Sequence, residues 1–161
     1  MLGGCALAYW GIKSLTLHTT LGDLKLEIYC DEVPRTATNF LALCASGYYD
    51  KTVFHRNIKG FMIQGGDPTG TGKGGKSIYN TPNGKFQDEI VESLKHSRRG
   101  IVSMANSGPN SNGSKYTIFG HVIDGMDTLD KMERVPTAAG DRPIQEIRLN
   151  RVTLHANPLA Q

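Results

Sequence analysis

A glycine or proline interrupts this chain about once in every six residues, with 19 glycines and 7 prolines in 161 positions. Inside a helix, glycine costs about 1 kcal/mol and proline about 3 kcal/mol relative to alanine. Long helices therefore have almost nowhere to run, and a helical bundle is excluded. A turn-rich β architecture is expected instead.

The pattern between the breaks agrees. Leu15 to Thr19, a turn at Thr20 to Asp23, and the apolar/polar alternation of Leu24 to Tyr29 read as a hairpin of half-buried strands. Asp31, Glu32 and Pro34 open a helix, with acids near its positive end and proline in its first turn. Its apolar face is Ala37, Phe40, Leu41 and Cys44, and Gly47 closes it. Thr52 to Arg56 and Gly60 to Gln64 are two further strands, and Gly65 to Gly84 is a long loop. Ile101 to Met104 and Lys115 to Phe119 are short strands, and Gly125 to Glu133 is a second helix. In the last strand, Ile147 to His155, the apolar phase slips between Leu149 and Val152, which predicts a bulge. Many short strands with two helices imply one domain, mainly β: a closed or nearly closed antiparallel β-barrel capped by the helices. Residues 1–13 are expected to be a disordered extension. They are apolar but too short to span a bilayer and lack the basic start of a signal peptide.

Charge and motifs exclude more than they suggest. A formal charge of +3 is too weak to argue for nucleic acid, and the run Lys95 to Arg99 reads as a solvated loop. Cys5, Cys30 and Cys44 match no zinc or redox spacing and point to a reducing compartment, with Cys44 in the core. The five histidines show no metal spacing, and Ser103 lacks a nucleophile elbow. Asn112-Gly113-Ser114 is a glycosylation triplet that matters only in a secreted chain. Gly70 to Ser77 spells a phosphate-binding loop, G-x-x-x-x-G-K-S. Such a loop works only when a helix follows and aims its free N–H groups at the anion, and Pro82 with its Asn/Gly neighbours argues against one here. No cofactor and no metal are expected.

What remains is the pair of strands around Phe54-His55-Arg56-Asn57-Ile58-Lys59-Gly60-Phe61-Met62-Ile63-Gln64. Arg56, Phe61, Met62 and Gln64 can face one surface. That surface would offer a rigid cationic fork, an apolar platform, and an amide that both donates and accepts. Taken singly, each of them reads as an ordinary core or rim residue of a hairpin.

Taken together, FHRNIKGFMIQGGD resembles the signature of the cyclophilins, the peptidyl-prolyl cis–trans isomerases. GTGKGGKSIY is similar to the Gly-rich loop that follows it, IVSMANSGPNSNGS to a later segment, and KYTIFGHVIDGMDTLDKME to the closing strand and second helix. The likeness runs from about Ser14 to the C-terminus and is nearest to the cyclophilin-like 3 subfamily, small single-domain members linked to the spliceosome. It implies the cyclophilin barrel and isomerase activity, which needs no nucleophile, metal or cofactor. It casts Arg56 as the catalytic cation and Gln64 as a holder of substrate backbone. Phe61 and Met62 become pocket walls, and Ala105, Asn106 and Ser107 partners of the extended peptide.

The chain also departs from this pattern. After Ser114 the resemblance implies a further strand and a loop that supply the second aromatic wall of the proline pocket. Here Ser114 runs straight into Lys115 to Phe119, which resembles the later strand, so one strand and loop are missing between Ser114 and Lys115. Tyr116 then matches the last pocket position. The other alignment sets Lys115 at the missing position and leaves Thr117 where a pocket Phe belongs. Loss of one large apolar wall removes about 1.5–3 kcal/mol of contact, so reduced activity is expected. The partners implied are proline-containing peptides and spliceosomal proteins, in cytoplasm or nucleus. A cyclosporin-type ligand is doubtful, given the shortened pocket, and no membrane or direct nucleic-acid contact is expected. A proline-peptide-binding module with weak turnover is the competing reading.

Overall fold

The computed structural model describes residues 13–82, 84–105 and 116–156. The first hairpin is β1 (Ser14–Thr19) and β2 (Gly22–Ile28), paired from Ser14–Glu27 to Thr19–Gly22. Alternation does the sorting: Leu24, Leu26 and Ile28 are buried, while Lys25 is half-buried and Glu27 exposed on the other face. Helix α1 (Pro34–Ala45) follows, then β3 (Thr52–Ile58), β4 (Met62–Gly65), β5 (Ile101–Ser103), β6 (Ile118–Asp124), helix α2 (Met126–Arg134) and β7 (Arg148–His155).

The strands form one antiparallel sheet in the order β4-β3-β7-β1-β2-β6-β5. It is a curled half-barrel with two helices, mainly β as expected. Ring closure is not found among the described residues: the order is linear, and β4 and β5 are its two edges. The strand and loop expected to be missing after Ser114 would fall at a junction outside the described residues. The predicted bulge is present, since Thr19 pairs with Leu149 and His18 with Arg151, leaving Asn150 unmatched on β7.

The core sits between the sheet's inner face and α1. Leu15, Leu26, Ile28, Val33, Ala37, Leu41, Phe119 and Ile147 belong to one buried cluster. Each large apolar side chain buried there contributes about 1.5–3 kcal/mol. Ala37, Leu41 and Cys44 point inward from α1 as the spacing predicted. Cys30 and Cys44 are buried thiols outside any disulfide among the described residues, and burial, then the nearby Asp50 charge, push the Cys44 thiol up, so it is inert. Cys5 and the triplet at Asn112 lie outside the described residues.

Two expectations are corrected. The acids ahead of α1 do not serve its first turn, which contains none; Asp31 pairs with Lys13 at 2.8 Å instead. Glu89, 53 positions from Thr36, supplies the negative charge, accepting the Thr36 N–H at 2.5 Å and the Arg35 N–H at 3.2 Å. The strand expected at Lys115 to Phe119 begins at Ile118 and runs on to Asp124. Before it, Thr117 is engaged outside the ladder: its carbonyl accepts from Met104 N–H and its hydroxyl from Glu89 N–H.

Candidate active site

The β3–β4 hairpin sets the geometry. Arg56 lies opposite Gln64 and Ile58 opposite Met62, so period two puts these four on one face. Asn57 and Ile63 take the opposite face, where Asn57 is fully buried and donates its Nδ2–H to the Met132 carbonyl of α2 at 2.9 Å. Arg56 therefore has to point outward.

A bulge aims it. Phe54 pairs with Gly65 and Arg56 with Gln64, so His55 is an extra residue on β3. Such bulges bend a strand and redirect the side chain beside them. The His55 ring packs beneath Gly72, where a Cβ would stand 2.9 Å from His55 Nε2. Burial, followed by the charges of Arg142 and Arg56, lowers the His55 pKa against the opposing pull of Asp67. The shift favours the neutral His55 ring next to Arg56 over a second cation.

Arg56 has one recorded partner. Its Nε–H faces Asp141 Oδ2 at 3.5 Å, and both side chains are nearly half exposed. Among the described residues its two terminal nitrogens have no hydrogen-bond partner, so the fork is open to a ligand. Asp141 belongs to a turn at Ala139–Asp141, and the next residue, Arg142, donates to the Gly70 carbonyl at 2.8 Å. That turn is thereby pinned to the Gly-rich loop as well as to Arg56.

The loop that spells a phosphate cradle is already filled by the protein itself. The Asp67 carboxylate, 7% exposed, accepts the N–H of Thr69 at 2.8 Å, of Gly72 at 2.8 Å and of Gly74 at 3.0 Å, plus the Thr69 hydroxyl. Burial alone would raise this carboxyl; the hydrogen bonds from Gly74, Thr69 and Gly72 outweigh it and hold it far below the ordinary range. Further on, Lys76 N–H donates to the Tyr48 hydroxyl and Ile78 N–H to Asn39 Oδ1, and no helix follows. The amides that would cradle a nucleotide phosphate are spent on an internal anion.

The other side of the site is built differently. Met104 N–H donates to the Thr117 carbonyl at 2.9 Å, so Ala105 and Tyr116 sit side by side where the chain leaves β5 and approaches β6. Ala105 is exposed. Tyr116 is 48% exposed, and its ring meets His96 edge-on at 6.2 Å. No ring contact links Tyr116 to Phe61 among the described residues. Asn106 and Ser107 lie outside the described residues. The structure thus brings Arg56, Met62 and Gln64 together, with Phe61 beside them on the turn, 80% exposed. Among the described residues no hydrogen bond, ion pair or ring contact joins Ala105 or Tyr116 to them.

Sequence reasoning missed Asp141, Asp67 and His55. Asp141 is 85 positions from Arg56 and carries no local signal. Asp67 was visible only as the end of a motif; an acid directly ahead of a run of glycines is the signal for a self-filled nest. Among the described residues no group of His, Cys, Asp or Glu could hold a metal, and no helix is long and apolar enough to cross a membrane.

Comparison with known proteins gives a consistent result. The family model described as cyclophilin type peptidyl-prolyl cis-trans isomerase/CLD matches residues 14–118 and, separately, 113–154. A peptidyl-prolyl cis-trans isomerase of Arabidopsis thaliana is 66% identical over 161 residues, covering 91% of this chain and 99% of its own length. The peptidyl-prolyl cis-trans isomerase-like 3 of Homo sapiens is 53% identical over 163 residues, with 92% and 99% coverage. A crystal structure of a Cryptosporidium parvum cyclophilin type isomerase in the presence of the dipeptide Ala-Pro superposes with a TM-score of 0.81 at 48% identity, covering 89% of this chain and 99% of that one.

Proposed function

From the premise that this chain belongs to the cyclophilin type peptidyl-prolyl cis-trans isomerase family, we propose that it catalyses rotation about X-Pro peptide bonds with Arg56 as the catalytic group. The planar amide resists rotation by about 18–20 kcal/mol because its nitrogen lone pair is delocalised. In the twisted state that pair localises on the proline nitrogen. A cationic donor aimed at it stabilises the twisted state over both planar states, which is what catalysis requires. The observation that carries this reading is the open Arg56 fork, fixed at its Nε by Asp141 and set opposite Gln64. Gln64 holds the substrate backbone, Met62 and Phe61 wall the proline ring, and Ala105, Asn106 and Ser107 pair with the extended peptide. Tyr116 contributes to the far wall.

The test is a protease-free isomerisation assay on an Ala-Pro-containing peptide. Arg56→Ala should lower kcat/KM about 10²-fold, the cost of removing one transition-state donor. An unchanged rate would sink the assignment.

A second reading keeps the peptide and drops most of the turnover: a module that holds proline segments. The family match that breaks and restarts across residues 113–118 supports it, as does the exposed Tyr116. Both fit a domain shortened after Ser114, with a depleted second wall. Peptide affinity without turnover favours the module; both together favour the enzyme. The finer reading, clients in a spliceosomal-type assembly of nucleus or cytoplasm, rests on the subfamily resemblance of the sequence. Absence of the chain from purified spliceosomal particles would remove it. A cyclosporin-type ligand should bind weakly or not at all.

A further inference from the structure

β4 and β5 are the two ends of the sheet among the described residues, and one side chain of α2 reaches the chain just ahead of both. Glu133 accepts the Gly60 N–H on Oε1 at 2.9 Å, and its Oε2 meets Arg99 Nη2 at 2.5 Å. The same Arg99 nitrogen also reaches Asp130 Oδ1 at 2.7 Å. Gly60 lies two residues before β4, and Arg99 two residues before β5. The Glu133 side chain is only 17% exposed, and the Arg99 hydrogen bond, then that from Gly60, holds its carboxyl below the ordinary range.

The Gly60 end matters most for the site. The turn from Lys59 to Phe61 depends on Gly60 at φ 76°, with no neighbour that would support a side chain there. Phe61 is 80% exposed and makes no ring contact among the described residues, so its place is set by the turn's backbone. Two recorded hydrogen bonds hold that backbone: Phe61 N–H to the Ile58 carbonyl at 3.0 Å, and Gly60 N–H to Glu133. The first is part of the turn itself. Beyond the flanking ladder, the second is the hydrogen bond that ties the turn to α2 among the described residues.

We propose that Glu133 is a positioning residue: it fixes the β3–β4 turn, and thereby Phe61 and Met62, while bracing the two unjoined edges of the half-barrel. This rests on the reading of Phe61 and Met62 as the proline wall. The rest of α2 does not depend on the carboxylate. Met132 is 1% exposed, and its carbonyl is held by Asn57, so the helix stays seated when residue 133 changes.

The experiment uses the full chain and its Glu133→Ala, Glu133→Gln and Phe61→Ala variants. It reads kcat, KM and the Kd of an Ala-Pro-containing peptide, together with hydrogen exchange at the Gly60 amide. Glu133→Ala should raise Kd and KM about fivefold with kcat nearly unchanged, and speed Gly60 exchange, because the wall is misplaced while Arg56 is untouched. Glu133→Gln keeps an acceptor for Gly60 and should recover most of the affinity. A Glu133→Ala variant with unchanged Kd, or a Gln variant as impaired as the Ala one, overturns the proposal. If Phe61→Ala weakens binding and Glu133→Ala does not, the inference fails and the wall reading stands. If Phe61→Ala leaves Kd unchanged, the wall reading fails and takes this inference with it. Kd serves equally if the chain binds without turnover.

Discussion

The two sides of the candidate site are built to different standards. On the β3–β4 side, Arg56 and Gln64 face each other in a fixed register. A bulge aims the arginine, and behind it a buried carboxylate gathers three amides and a hydroxyl. On the β5–β6 side, a strand of three residues has a register shift, and Tyr116 has one edge-on ring contact among the described residues. The lesson is that the proposed catalytic cation and the proposed pocket wall are separable. The cation depends on a hairpin with its own internal support. The far wall depends on chain that passes near the sheet's open edge.

This contrast can be broken or sharpened by measurement. The largest expected effect is on the supported side. Asp67→Ala strands three amides and a hydroxyl at once and should cost roughly 3 kcal/mol in a urea unfolding experiment. Because the folded-state pKa of Asp67 is depressed, its contribution is present above the unfolded value near 3.8 and is lost as pH falls below it. The variant should flatten that acid limb. A loss under 1 kcal/mol would mean that the loop does not brace the hairpin.

Next comes Phe61, the proposed near wall. Phe61→Ala should weaken proline-peptide binding about tenfold, close to 1.4 kcal/mol, by titration. Its stability should barely move, since the ring is exposed in the free protein.

His55 gives a smaller, pH-dependent effect. Its pKa is lowered on folding, chiefly by burial, so the unfolded chain takes up a proton near pH 6.5 that the folded chain resists. The stability it contributes is present above that value and declines as pH falls through it. Unfolding midpoints between pH 7 and pH 5 should therefore drop less in His55→Gln than in the parent. Equal slopes would contradict the lowered pKa of the half-buried ring.

The smallest effect belongs to the far side. Tyr116→Ala should change peptide affinity by less than about threefold and stability by under about 1 kcal/mol. A tenfold loss of affinity would show that both walls carry the ligand equally, and the contrast would collapse.

The sequence made the strands, both helices and the β7 bulge legible because each is a local pattern of two or 3.6 residues. The pairing face of Arg56, Met62 and Gln64 was legible for the same reason. What escaped was whatever depends on distant chain. The charge at the start of α1 comes from Glu89 and not from the acids beside it. The partner of Arg56 comes from a turn near the C-terminal strand. The start of β6 was misplaced because Thr117 is drawn off by Met104 and Glu89, contacts that no local alternation encodes. The phosphate-loop spelling misleads for a related reason: its glycines serve an anion that precedes the motif.

The most direct test of the account is NMR exchange spectroscopy on one Ala-Pro-containing peptide, with the full chain and with Arg56→Ala at matched occupancy. The account predicts catalysed cis–trans exchange that falls about 10²-fold in the variant, with peptide affinity and unfolding midpoint little changed. Exchange that is equally fast without the Arg56 guanidinium would contradict it.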